Sequence, residues 1–84
     1  MLKEIVLNQE QKQSLADRIE ELYLMDEIVT TGLQVNEVLW LVGINQYKVQ
    51  FDYERENNTL GQGIVFCKFG FDGNSNRVVD FREC

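Results

Sequence analysis

The sequence predicts an α+β domain: one main amphipathic helix packed on an antiparallel sheet of three to five strands. Three observations carry that expectation. Residues 8–23 place apolar side chains at helical spacing, residues 47–54 alternate apolar and polar side chains, and short Asn-, Gly- and Asp-containing connections separate the later apolar runs. With 84 residues, the chain forms a single domain, 1–84. A chain of this size buries only roughly 60% of the surface it exposes when unfolded, so a second copy would extend a small core.

The first element is "EIVL" at 4–7, a short strand. The helix then opens at Asn8, which caps it, and Gln11 completes a capping-box pair with Asn in place of Ser or Thr. Leu15, Ala16, Ile19, Leu22 and Tyr23 form its apolar face, with Glu10, Asp17 and Glu21 opposite and Glu20 at the margin. Helical spacing fails beyond Tyr23, because Asp26 would swing onto the apolar face. A break is expected at 24–26, with Asp26 opening the next piece.

Residues 31–43, "TTGLQVNEVLWLVG" with its leading Thr30, fit two templates. Val35, Val38, Leu39 and Val42 suit a second short helix at 33–42, with Thr31 and Gln34 as capping box and Gly43 just past its end. The run "VLWLV" also suits a buried strand turned by "GIN" into the next one, and its β-branched and aromatic content favours the strand. "YKVQFDYE" follows as a strand with Tyr47, Val49, Phe51 and Tyr53 on its core face. "RENNTLGQG" is expected as a loop. "IVFCKFGFD", the turn "GNSN" and "RVVDFRE" complete a meander.

Composition narrows the function. Fourteen carboxylates against eight basic groups give a net charge of −6. That balance disfavours direct nucleic-acid binding and adsorption to anionic membranes, both of which need clustered Lys and Arg. It suits a protein that docks on something basic. There is no histidine, which removes the commonest general base and most zinc chemistry. Cys67 alternates with Val65, Phe69 and Phe71 and is expected as a buried thiol; two cysteines suggest no disulfide framework. "MLKEIVLN" has no leader pattern and the longest apolar run falls far short of a bilayer span, so the cytoplasm is expected. No cofactor is implied.

"DGNSNRVVDFRE" places Asp72, Asn74, Asn76, Asp80 and Glu83 at positions 1, 3, 5, 9 and 12 of a calcium loop, and Val79 at the apolar position 8. Arg77 stands where that loop needs glycine, so the residues are expected to serve a turn instead.

The negative charge concentrates in "DRIEELYLMDE", residues 17–27, with five acids against one base. The expected function is therefore a non-catalytic, small acidic binding protein. It would dock on, and inhibit, a partner with a basic, nucleic-acid-handling surface, as anti-defence, toxin-immunity and nucleic-acid-mimic proteins do. The expected contact residues are Asp17, Glu20, Glu21, Asp26 and Glu27 near the helix, with Asp52 and Glu54 on a strand. One alternative is a structural or adaptor module, or a homodimer subunit, whose acidity serves solubility alone. A second is a winged-helix-like regulator, which requires 33–42 to be helical.

Overall fold

The computed structural model describes residues 2–24, 31–54 and 59–84. One helix, α1 (Gln9–Leu24), packs against a five-stranded antiparallel sheet of β1 (Leu2–Glu4), β2 (Thr31–Leu41), β3 (Gln46–Glu54), β4 (Leu60–Phe71) and β5 (Val78–Glu83). The strands lie in the sheet in chain order, β1-β2-β3-β4-β5.

Asn8 and Gln11 start the helix reciprocally. The Gln11 amide N–H donates to Asn8 Oδ1 at 2.8 Å, and the Asn8 N–H donates to Gln11 Oε1 at 3.0 Å. Two of the helix's orphan donors are thereby satisfied without backbone partners. Asn8→Ala removes one of these bonds and is expected to cost about 1 kcal/mol, read as a lower urea midpoint with an unchanged slope. Beyond the cap, Leu15, Ala16 and Ile19 are buried, and Leu22 is half-buried.

The same core contains Leu33, Val35 and Val38 of β2, Val49, Phe51 and Tyr53 of β3, Val65 and Cys67 of β4, and Val78 of β5. Two polar contacts tie α1 to the far side of the sheet. The Val78 N–H donates to Ser14 Oγ at 2.9 Å, and Asn76 Nδ2 donates to Glu10 Oε2 at 3.1 Å.

Three sequence expectations need correction. Residues 33–42 do not form a second helix: 33–41 lie in β2, paired to β3 from Leu41↔Gln46 back to Thr31↔Glu54. Two register shifts, between Thr31 and Gln34 and between Val35 and Glu37, interrupt strict alternation, which is why the run also matched a helical template. Without that helix, a winged-helix arrangement has no recognition helix among the described residues. Second, "GQG" is strand rather than loop, because β4 begins at Leu60. Tyr53 lies opposite Gly61 and Phe51 opposite Gly63, and a Cβ on either glycine would fall against the facing ring. These glycines make room for aromatic side chains. Third, the first strand is Leu2–Glu4, not 4–7.

The expected turns do form. At 42–45 the Ile44 and Asn45 N–H groups both donate to Leu41 O, and Asn45 takes φ 54°, a left-handed conformation that Asn tolerates.

Candidate binding surfaces

The residues expected to contact a partner fall on two faces. Asp17 is exposed on α1 and accepts a hydrogen bond from Gln13 Nε2 at 3.0 Å. Glu21 is exposed and stands 3.6 Å from Arg18, an exposed i,i+3 pair of small energetic weight. Glu20 is half-buried beside them. Asp26 and Glu27, and the side chain of Tyr23, lie outside the described residues. Asp52 and Glu54 are on β3, where Val49, Phe51 and Tyr53 point into the core. Period-2 alternation therefore turns Asp52 and Glu54 to the face away from the helix. The helix acids and strand acids consequently cannot meet one flat partner surface together.

On the helix side, Asp17, Arg18 and Glu21 of α1 share a cleft of about 440 Å³ with Asp72 and Arg77 of the β4–β5 connection. Asp72 accepts the Asn74 N–H at 3.0 Å on one oxygen and the Ser75 hydroxyl at 3.0 Å on the other. These bonds, the Asn74 one foremost, favour the carboxylate and hold Asp72 below the usual range for aspartate. The turn consumes its acceptors, and Asn76 is committed to Glu10 with φ 57°. Asp80 and Glu83 are carried on β5. Among the described residues, no three His, Cys, Asp or Glu side chains converge as metal ligands.

On the open face, Asn36, Gln50, Asp52, Gln62 and Ile64 line a shallow cleft of about 410 Å³. Asp52 Oδ1 is buried there with no hydrogen-bond partner among the described residues. A buried acceptor left unpaired costs about 1–3 kcal/mol.

Sequence reasoning overlooked the apolar part of this face. Leu2, Ile64, Phe66 and Val79 are large exposed side chains. A signal for them existed: "IVFCKF" is apolar at both parities of β4, the pattern of a strand with cover on two sides rather than one.

Cys67 is fully buried, and burial pushes its thiol up to about 12, with smaller contributions from the Cys84 and Glu83 charges. That environment makes a thiolate nucleophile unfavourable. Among the described residues, no helix is long and apolar enough to cross a membrane.

No family model, curated protein or solved structure matches this chain.

Proposed function

We propose that this chain is a non-catalytic acidic binding protein that docks on, and inhibits, a partner with a basic, nucleic-acid-handling surface, using the C-terminal half of α1. One observation carries the proposal. Glu20 and Glu21 sit near the C-terminal end of α1, and the last turn holds no basic residue to offset them. The helix dipole places partial negative charge at that end, so carboxylates there oppose local stability and deepen a negative potential facing solvent. A sequence shaped only for folding and solubility gains by placing such acids in the first turn, which here holds only Glu10. Asp17 adds to the same surface, while Arg18 offsets part of it.

Glu20→Lys separates binding from folding. It should stabilise the protein by about 0.5–1 kcal/mol, through the dipole and the neighbouring Asp17, while weakening capture of the partner. Recovery of a basic protein from the native host at low salt, lost at high salt and lost on reversing Asp17, Glu20 and Glu21 together, is the expected result. Capture that ignores both salt and the triple reversal would refute the proposal.

A further inference from the structure

The helix-free face of the sheet carries three features left without counterparts among the described residues. The first is apolar. Ile64 is 48% exposed, Phe66 41%, Val79 37% and Leu2 60%, on the side opposite the core. Leu39 and Leu41 of β2 share that side and are half-exposed. In a sheet covered by a single helix layer, this apolar surface would remain in water.

The second feature is a like-charge pair. Lys68 and Arg82 stand directly opposite each other across β4 and β5. Like charges in that position are destabilising, and neither has an ion pair among the described residues. The third is Asp52, at the other end of the same face, with its unpartnered Oδ1 in the 410 Å³ cleft.

The register orders these groups along the strands. Gln34, Asp52 and Gln62 form one row across the sheet, and Glu37, Gln50 and Ile64 the next. Leu39, Lys48 and Phe66 follow, then Leu41, Gln46, Lys68 and Arg82. The face thus carries Glu37 and Asp52 toward one end and Lys48, Lys68 and Arg82 toward the other, with Glu4 beside Leu39 and with Ile64 and Phe66 in the two middle rows. A two-fold axis lying in the interface, perpendicular to the strands and passing between the Ile64 and Phe66 rows, reverses this order in a second copy. It lays Ile64 on the row of the partner's Phe66, and brings Asp52 to the row of the partner's Lys68 and Arg82. Such an isologous contact needs only one self-complementary patch.

We propose that the helix-free face of the sheet is the interface of a two-fold homodimer, sheet packed on sheet, with the acidic end of each copy over the basic end of the other. The available area suffices. The molecule extends 37 × 30 Å in its two longer directions, against about 800 Å² per partner in a stable dimer. Ile64 and Phe66 exclude water from the two middle rows, while the charges to either side fix the antiparallel orientation. The inference does not rest on the acidic docking function, since it uses the opposite face and leaves the α1 surfaces of both copies free.

Sedimentation equilibrium of the full chain tests it. The expected mass is twice the 9.8 kDa of one chain. Phe66→Glu and Ile64→Lys should each weaken association at least about tenfold as central interface positions, with an unchanged far-UV circular dichroism spectrum showing the monomer folded. The decisive arm uses two charge-swapped proteins, one with Asp52→Lys and one with Lys68→Glu and Arg82→Glu. Each should be monomeric alone, because both ends of its homodimer then bring like charges together. Mixed in equal amounts, they should form a heterodimer, because both ends then meet opposite charge. A monomeric, folded wild type overturns the proposal. So does a dimer that survives Phe66→Glu and Ile64→Lys, or a pair of monomeric swapped proteins that stay monomeric on mixing.

Discussion

Replacing Gly63 with valine is expected to unfold the domain, or to leave it at the edge of folding. By strand propensity alone the opposite holds, since glycine inside a strand is weaker than alanine by about 0.5–1 kcal/mol. Packing decides the sign. Phe51 is almost fully buried directly opposite Gly63, and its ring tip occupies the place of the missing Cβ. A side chain there must push the ring deeper into the core it shares with Leu15, Ile19 and Val49, or push β3 from β4. Overpacking of this kind costs about 1–3 kcal/mol for modest additions and more for a branched one. Domains this short have little in reserve, total stabilities starting near ~5 kcal/mol. Urea denaturation should show Gly63→Ala lowered by about 2 kcal/mol and Gly63→Val lowered further, to partial unfolding without denaturant. Phe51→Leu should restore part of the loss in the Gly63→Ala background, although alone it destabilises. The coupling, on the order of 1 kcal/mol, identifies the ring as the obstacle. Strict additivity would mean that the ring does not occupy that space.

Alkaline pH should destabilise this protein through a single buried thiol. Cys67 ionises near its ordinary value of 9.0 when unfolded, but burial raises it to about 12 in the folded chain. The folded state therefore holds its proton where the unfolded state has lost it. Below pH 9 both states are protonated and the thiol contributes no pH dependence. Between 9 and 12 stability falls with pH, by about 1.4 kcal/mol per unit at full slope. Cys67→Ala removes this component at the cost of a small cavity, about 1 kcal/mol. At neutral pH the wild type should be the more stable. Above about pH 10 the difference should vanish and then reverse. Every other ionisable group is common to both proteins, so the comparison isolates the thiol. Urea midpoints measured at pH 7, 10 and 11, in a Cys84→Ser background, provide the check. Parallel pH profiles would show that Cys67 is not the cause.

The two halves of the surface answer to different physics, and this divides what each face can be asked to do. On α1, Asp17 and Glu21 lie in water with Glu20 half-buried beside them, toward a helix end that disfavours negative charge, so their effect is long-ranged and sensitive to salt. The open sheet face mixes apolar rows with charge of both signs, so its effect is short-ranged and depends on register. A protein can associate through the second and still present the first to something else. In the proposed dimer, the two α1 surfaces point away from each other, so one assembly offers two acidic contacts. Linked contacts of that kind raise overall affinity without any new interaction, provided that the partner presents two basic sites at matching separation.

Local chemistry made part of this protein legible from residues alone. The capping pair Asn8–Gln11, the Leu15–Ala16–Ile19 stripe, the β3 alternation and the turn at "GIN" all depend on neighbours within a few positions. They formed where the sequence placed them. The inward face of Cys67 followed for the same reason. Three other features depend on residues distant in sequence, and only the tertiary structure decided them. "GQG" became strand because Phe51 and Tyr53, on a different strand, needed the space above its glycines. Residues 33–41 became strand because β3 pairs along them and β1 covers the other side of 39–41, while register shifts blur the alternation that sequence patterns detect. The separation of Asp52 from Asp17, Glu20 and Glu21 onto opposite faces follows from helix and strand periods meeting in one core. Neither period alone carries that information, because a face exists only once a second element covers its reverse.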